Sequence, residues 1–279
     1  MDARFKIRLL EIIDEVDRLC RENDLRYFLI GGSMLGAVRH KGMIPWDDDI
    51  DIGMPREDYE LFKAIATEKM SSRYRFVDNG IDSEYHYFFG KVYHQETTLV
   101  EYEDPFYLGG VFVDIFPLDG MPESDKRREL HFRNFSMWLQ LSRLVSTKNV
   151  HSKTAFKRFA EKLIKKIFSL SFCLNVCNRI ARRYKFSSSE YVANLGGAWG
   201  RKEITHKKNF AFAEDTDFEG KTLSIPAGYD NILKEVYGDY MKLPPEEKRV
   251  SHHSHFYLNL DDRISADEIL NRESSNETN

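Results

Sequence analysis

The chain contains little of what would place it in a specialised structural class. It has three cysteines in 279 residues (Cys20, Cys173 and Cys177), which do not suggest a disulfide framework. Cys173 and Cys177 have no second pair with which to complete a zinc site, so we predict buried thiols in a reducing compartment. A formal net charge of −4 excludes the general basic character that is typical of nucleic-acid-binding proteins. No nucleic-acid partner is therefore expected.

Long hydrophobic runs are also missing. The longest apolar stretch, residues 167–177, is interrupted by Ser169, Ser171 and Asn175 and is too short to cross a bilayer. The chain begins directly with an amphipathic helical pattern over residues 5–20, with no signal peptide before it. We expect a cytoplasmic protein whose membrane association, if any, is peripheral and at the inner face.

The length allows one large domain or one domain with a helical annex. We predict a catalytic core at 1–145, a basic amphipathic helical segment at 146–189 and a C-terminal portion at 190–260 that completes the active-site side. A polar tail follows at 261–279, and its last stretch, residues 271–279, is expected to be disordered. The histidines at 252, 253 and 255 are not expected to form a metal site, because such sites draw ligands from several places.

The basic segment 146–189 differs in charge from the rest of the chain. It carries eleven Lys or Arg residues and one acid, Glu161, a net +10, so the remainder carries −14. Such asymmetry indicates an anionic partner. An apolar face with members such as Phe156, Phe159 and Leu163 lies opposite the lysines. This pattern is typical of a helix at an anionic membrane surface, or of a packed helix whose lysine face is solvated.

The most informative segment joins a glycine turn, Gly31-Gly32-Ser33, to the acidic block 47–51. The sequence predicts a strand at 27–30, then a helix at 33–40 with Ser33 as its N-cap. A helix N-terminus presents free N–H groups, which suit a phosphate. A second strand is predicted at 49–54. Residues i and i+2 of a strand share a face, so Asp49 and Asp51 should project together.

Two adjacent carboxylates repel each other unless a cation lies between them. Mg²⁺ binds through one or two carboxylates together with substrate phosphates, so this combination predicts metal-assisted phosphoryl transfer. Alternatives are a simple glycine turn and a solvated or calcium-binding acidic loop. An EF-hand spacing is missing, and apolar residues such as Trp46, Ile50 and Ile52 alternate with the acids.

A third acid, Asp114, lies within a predicted apolar strand at 109–117. A lone charge there is costly unless it is paired or metal-bound. Asp114 is therefore either a third member of the acidic site or a core residue paired with a buried Arg or with backbone amides. Further strands are predicted at 74–77, 85–93 and 97–102, and helices from Pro55, over 125–186 and from 229 to 237.

The block Pro45-Trp46-Asp47-Asp48-Asp49-Ile50-Asp51, together with the glycine turn before it, resembles the LicD family of phosphocholine transferases. Residues 113–120 and 237–249 match further family signatures, so the similarity covers about 25–255, although 146–189 carries no motif. The Trp-Asp-x-Asp-x-Asp spacing is also similar to that of fukutin-related ribitol-phosphate transferases. That similarity leaves open whether Asp47 binds metal directly or supports the site.

The resemblance implies an α+β fold with a nucleotidyltransferase-like mixed β-sheet core flanked by helices, a basic helical insertion and a C-terminal α/β portion. It implies Mg²⁺, or Mn²⁺, at an acidic site whose catalytic residues are Asp49, Asp51 and Asp114. Donor phosphates would contact Gly32 and Ser33. Arg39 and Lys91 are further candidates for donor contact, with a surface salt bridge as the alternative for each. The implied metal ligands are Asp47, Asp49, Asp51 and Asp114.

The implied reaction transfers a phospho-alcohol, foremost phosphocholine from CDP-choline, to a sugar hydroxyl and releases CMP. The acceptor would be a lipid-linked precursor of a cell-surface glycan such as teichoic acid or lipopolysaccharide. Two alternatives stay open: a nucleotidyltransferase that moves NMP from an NTP to a hydroxyl, and an inactive membrane-surface scaffold. The sequence does not determine the alcohol, the acceptor sugar, the number of metals, the oligomeric state or which aromatic residues would surround choline.

Overall fold

The computed structural model describes residues 2–150, 152, 154–250 and 255–276, and it shows the expected α+β architecture. The helices are α1 (Ala3–Glu22), α2 (Gly31–His40), α3 (Arg56–Lys69), α4 (Asp125–Ser146), α5 (Ala155–Ile167), α6 (Leu170–Ala181), α7 (Tyr229–Tyr237) and α8 (Ala266–Asn276). The strands are β1 (Phe28–Leu29), β2 (Asp51–Pro55), β3 (Tyr74–Val77), β4 (Gly90–His94), β5 (Thr98–Val100), β6 (Phe112–Met121), β7 (Tyr191–Asn194), β8 (Ile204–His206), β9 (Ala213–Phe218), β10 (Lys221–Pro226) and β11 (Tyr257–Asn259).

A mixed sheet of seven strands is built around β6, whose ten residues are all buried. On one side β6 pairs in parallel with β2, and β1 forms the edge beyond it. On the other side β4 pairs with the first half of β6 and β7 with the second half, both antiparallel. The outer neighbours are β3 beside β4 and β8 beside β7. The C-terminal portion therefore completes the same sheet.

Two hydrophobic clusters cover this sheet. The apolar stripe of α1 (including Leu9, Ile12 and Val16) is buried, as its periodicity predicts, and α1 packs against α3, β4 and β6. A second cluster joins α4 and α6 to the β6–β7 region. Its buried members include Phe135 and Cys177. All three cysteines are free and buried, which confirms the prediction of buried thiols.

A buried ion pair fixes the start of α3 to the centre of the sheet. Arg56 donates from Nε and Nη2 to the two carboxylate oxygens of Asp119 on β6, at 2.8 and 2.7 Å. Asp119 is completely buried and Arg56 is 8% exposed. Because the pair is bidentate and enclosed, it orients α3 over the sheet.

Several predicted boundaries were wrong. Helix α2 begins at Gly31 after Ile30, and Ser33 is not its N-cap: the Ser33 hydroxyl instead accepts the Asp51 N–H at 2.9 Å. Strand β2 begins at Asp51, because the ladder with β6 begins at the Asp51–Asp114 pair, so Asp49 precedes the strand. Strand β6 continues to Met121 because β7 pairs with its second half.

Residues 85–89, predicted as the first part of a strand at 85–93, lie outside β4. Their backbone does not continue the strand pairing of β4. Their aromatic rings pack on one another, with ring centroids 5.5 Å apart for Tyr85 and Tyr87 and 5.2 Å apart for Tyr87 and Phe89. In the tail, residues 271–276 belong to α8, which buries Ile269, so the prediction of disorder was wrong there. Residues 277–279 and the histidines at 252 and 253 lie outside the described residues.

Candidate active site

A row of three ionisable side chains crosses the centre of the sheet. Asp51 on β2 is in register with Asp114 on β6, and Asp114 is in register with Lys91 on β4. Register partners on adjacent strands project to the same face. All three line a cavity of about 620 Å³, which confirms that the sheet brings Asp114 beside Asp51. Asp49 and Gly32 line the same cavity.

The glycine turn lies directly against the carboxylates. Gly31 has a φ of +54°, and a Cβ there would lie 3.1 Å from Oδ2 of Asp51. A Cβ on Gly32 would lie 2.5 Å from Oδ2 of Asp47. The two glycines are thus needed for the close approach of backbone and acid. Asp47 stands beside this turn, and its assignment as a metal ligand stays a prediction.

Ser33 and Arg39 lie away from the cavity lining. Ser33 is 3% exposed and holds the Asp51 backbone through the hydrogen bond described above. The Arg39 guanidinium donates to the carbonyl of Tyr240 at 2.7 Å and to Nε2 of His40 at 2.9 Å. Arg39 therefore links α2 to the 237–249 signature, and the donor contacts of Ser33 and Arg39 stay predictions.

Lys91 is the counter-ion of the acidic row. Its Nζ lies 2.9 Å from Oδ1 of Asp114 and 3.2 Å from Oε2 of Glu101. The same Nζ lies 3.3 Å from the ring centroid of Phe112 and 4.6 Å from that of Tyr87. The side chain is 1% exposed, so the alternative of a surface salt bridge was wrong. Its role in donor binding stays a prediction.

The electrostatics of the row favour protonated or cation-bound carboxylates. Burial raises the pKa of Asp51 well above its usual range, and the charges of Asp49, Asp114 and Asp47 raise it further. Burial also raises the pKa of Asp114, although the Lys91 ammonium opposes that shift. Burial would lower the pKa of Lys91, but its two carboxylate partners outweigh burial and raise it. A divalent cation would relieve the repulsion between Asp49 and Asp51.

The sequence reasoning missed Glu203, which comes from the turn after the loop 196–200 and also lines the cavity. Its Oε1 accepts the N–H of Trp199 at 2.8 Å, and burial raises its pKa to about 7. A Cβ on Gly197 would clash with the Glu203 carboxylate, so the glycine-rich loop makes room for this acid. That loop was the only local signal, because Glu203 has no acidic neighbour in sequence.

Aromatic side chains form much of the remaining wall. The rings of Tyr87, Phe89 and Phe116 lie in a row along the cavity. The ring centroids are 5.2 Å apart for Tyr87 and Phe89 and 4.1 Å apart for Phe89 and Phe116. Tyr102 and Trp199 line other parts of the cavity. The structure thus identifies which of the many aromatic residues converge near the acids.

The donor set fits Mg²⁺ that is held partly by substrate. Among the described residues, no three His, Cys, Asp or Glu side chains are arranged as a ready-made metal site. Mg²⁺ needs only one or two carboxylates when substrate phosphates supply further oxygens. Asp49 and Asp51 would hold such an ion, since both line the cavity and their charges disfavour each other.

A mixed sheet with acids on adjacent strands, beside a glycine-rich helix N-terminus, can hold a phosphate and a cation together, as a phosphotransferase requires. Residues 24–172 match the family model described as the LicD/FKTN/FKRP nucleotidyltransferase domain. The chain belongs to this family, as its motifs indicated, and it is a phosphotransferase.

Curated relatives agree with this assignment. Over 258 residues the chain is 31% identical to the lipopolysaccharide cholinephosphotransferase LicD of Haemophilus influenzae, and the alignment covers 88% of this chain and 92% of that protein. Over 34 residues it is 59% identical to the ribitol 5-phosphate transferase FKRP of human and mouse, which is 12% of this chain and 7% of FKRP. No described helix combines the length and apolar character needed to cross a membrane.

Proposed function

We propose that this enzyme transfers a phospho-alcohol, foremost phosphocholine from CDP-choline, to a sugar hydroxyl of a cell-surface glycan precursor such as lipopolysaccharide or teichoic acid. Mg²⁺, or Mn²⁺ in its place, would assist the reaction, and CMP would be released. The observation that carries the proposal is the Asp51–Asp114 pair in register beside the glycine turn. Similarity over nearly the full length of a lipopolysaccharide cholinephosphotransferase supports it.

The donor phosphates would lie between the glycine turn and the acids. The N-terminus of α2 presents backbone N–H groups at Gly31 and Gly32, which favour an anion. Mg²⁺ held by Asp49 and Asp51 would neutralise charge on the phosphates as it develops. The acceptor oxygen would attack the distal phosphorus, the new P–O bond would form, and the bond to CMP would break in line.

Asp114 would take the proton of the acceptor hydroxyl. A carboxylate whose pKa is raised toward neutrality is a better base at physiological pH than an ordinary one. Lys91 would keep Asp114 oriented through its 2.9 Å contact and prevent it from losing its charge altogether.

Choline is favoured among the alcohols because of the aromatic wall. Tyr87, Phe89 and Phe116 line the cavity together with its acids, and aromatic rings and carboxylates both attract a quaternary ammonium group. A cavity of about 620 Å³ is also in the range of small-molecule sites. We place the enzyme in the cytoplasm, where CDP-alcohols are available, and at the inner face of the membrane.

A second candidate is a nucleotidyltransferase that moves NMP from an NTP to a hydroxyl, because the matching family model describes a nucleotidyltransferase domain. The two reactions differ in product: the first releases CMP, and the second releases pyrophosphate. The inactive scaffold is disfavoured because Asp49, Asp51 and Asp114 are all present and line one cavity.

The deciding experiment measures CMP release from CDP-choline with Mg²⁺ and a GalNAc-containing acceptor. Wild type should release CMP only with acceptor, and Asp49→Asn should lose about two to four orders of magnitude in rate, as expected when a metal-binding carboxylate is removed. The matched control is Asp14→Asn, an exposed acid paired with Lys221, which should keep the wild-type rate.

Further donors separate the alternatives. If CDP-ribitol, CDP-glycerol or CDP-ethanolamine were turned over and CDP-choline were not, the transferred alcohol would differ from the one proposed but the type of reaction would be the same. Pyrophosphate release from CTP would establish the nucleotidyltransferase. Inactivity with every donor, together with metal binding unchanged by Asp49→Asn, would favour the scaffold.

A further inference from the structure

Helix α5 leaves most of its apolar residues exposed and buries a single side chain, that of Glu161. Four large apolar residues at helical spacing face solvent, with exposed fractions of 80% for Phe156, 68% for Phe159, 47% for Leu163 and 62% for Ile167. We call these four residues the docking face. Phe172 at the start of α6 is 50% exposed and extends the apolar surface. A helix in a water-soluble protein normally turns such a stripe toward the core.

The inner side of α5 is held by polar contacts. Glu161 is 2% exposed, accepts the hydroxyl of Ser152 at 2.6 Å and lies 3.2 Å from the ammonium of Lys165. Lys165 also donates to the carbonyl of Thr147 at 2.9 Å. The Glu161–Lys165 pair lies within the helix, whereas the hydrogen bonds to Ser152 and Thr147 hold this side of α5 against the preceding segment and would be lost if α5 rotated to cover its apolar residues.

Basic side chains flank the docking face. The exposed ones beside it on α5 are Lys157, Lys162 and Lys166, whereas Arg158 lies on the inner side and donates to the carbonyl of Ser152 at 2.9 Å. They belong to the segment 146–189, whose net charge is +10. An exposed apolar stripe between basic residues matches an interface of acyl chains below anionic head groups.

We propose that α5 lies on an anionic lipid bilayer, with the docking face inserted at the head-group boundary. Charge complementarity selects this occupant. A symmetric contact with a second copy would set two such basic faces against each other, whereas an anionic surface neutralises them.

The position of α5 relative to the cavity gives the contact a consequence. Ser146 and Thr147, at the end of α4, line the cavity, and Lys165 bonds to Thr147. Asp104, also in the cavity wall, accepts the backbone N–H groups of Lys148 and Asn149 at 2.6 and 2.8 Å. Docking through α5 would therefore hold the cavity close to the membrane surface. This consequence rests on the proposed function, since it concerns a lipid-linked acceptor.

The test is co-sedimentation of the full chain with vesicles of phosphatidylglycerol and phosphatidylethanolamine, compared with phosphatidylcholine vesicles. Wild type should bind the anionic vesicles, and added salt should weaken binding. The double variant Phe156→Ser/Phe159→Ser should lose about tenfold or more in affinity, because two aromatic side chains no longer insert. The matched control is Ile7→Ser/Leu61→Ser, which removes two apolar residues that are 53% and 55% exposed on other helices and should bind like wild type.

Equal binding of wild type and the Phe156/Phe159 variant, or no wild-type binding, would overturn the proposal. So would a wild-type dimer that this variant dissociates in the absence of vesicles, because the face would then belong to a second copy. CMP release with a water-soluble acceptor is measured on the same samples. Vesicle binding without any CMP release would refute the proposed function but support the membrane contact of α5. CMP release without vesicle binding would support the proposed function and refute the membrane contact.

Discussion

At the scale of single residues, each acid near the cavity has a different environment. Asp51 is in the sheet, Asp49 precedes the strand, and Asp47 lies against Gly32. Asp114 has a lysine partner, and Glu203 instead accepts the backbone N–H of Trp199. These environments distinguish the acids of the block 47–51 from one another and from Asp114 and Glu203.

Glu203→Gln should change the pH dependence of stability. Because burial raises the pKa of Glu203 from 4.5 to about 7, the folded state binds more protons than the unfolded state between these values. Wild type therefore loses stability as pH rises through this window, and the loss is complete above it. Gln cannot ionise, so the variant should melt higher at pH 8 by about 6–12 °C, the shift expected for roughly 3 kcal/mol in a domain of this size.

Calorimetry at pH 4 and pH 8 checks this. At pH 4 both proteins carry an uncharged side chain at position 203, so their melting temperatures should coincide. A difference of the same size at both pH values would show that Gln acts through packing instead of charge.

At the scale of secondary-structure elements, the Arg56–Asp119 pair decides how α3 meets the sheet. Asp119→Asn should lower the free energy of unfolding by about 3 kcal/mol, because the buried Arg56 guanidinium would lose its bidentate partner and keep only the part-exposed Glu60 at 3.3 Å. Urea denaturation measures the effect. Asp119 also belongs to the 113–120 signature, so this result would assign part of that signature to folding and not to chemistry.

The matched control for Asp119→Asn is Asp230→Asn on α7. Asp230 pairs with Lys234 at 2.7 Å, and its side chain is 48% exposed. Exposed pairs contribute about 0–1 kcal/mol, so this change should be nearly neutral. Equal losses in both variants would contradict the role given to the buried pair.

At the scale of the whole molecule, the C-terminal segment supports a wall of the cavity. Strand β11 pairs with β5, and Arg263 donates to the carbonyls of Thr97 and Leu108 at 3.1 and 3.0 Å and to that of Gly109. These carbonyls lie near the two ends of the segment 101–108. That segment supplies four cavity-lining residues: Glu101, Tyr102, Asp104 and Pro105.

Arg263→Ala should loosen this wall without touching the acidic row. We expect KM for the donor to rise about three- to tenfold with little change in kcat, since the lost contacts position a binding surface and not the reacting groups. Arg4→Ala is the control, because Arg4 contacts the C-terminal segment through an exposed ion pair with Asp261 at 3.1 Å and does not hold the segment 101–108. A fall in kcat at unchanged KM would refute the assignment.

Local patterns predicted much of this molecule. The periodicity of α1, the strand at 74–77 and the helix ending at Tyr237 all appear as expected. These features depend on neighbours within a few residues. Strand ends were less predictable, because they depend on the partner: β2 begins where β6 begins to pair with it, and β6 is long because β7 arrives from 70 residues further along the chain.

The sequence by itself determined the family, the α+β class and the acids at 47–51, since these are carried by short contiguous motifs. Only the tertiary structure decided which charges meet. Lys91 reaches Asp114 through strand register, Arg39 is drawn away to Tyr240, and Glu203 enters the cavity from a distant turn. It also decided that the apolar side of α5 faces outward. Helical periodicity shows which residues share a face, but long-range packing determines which face is covered.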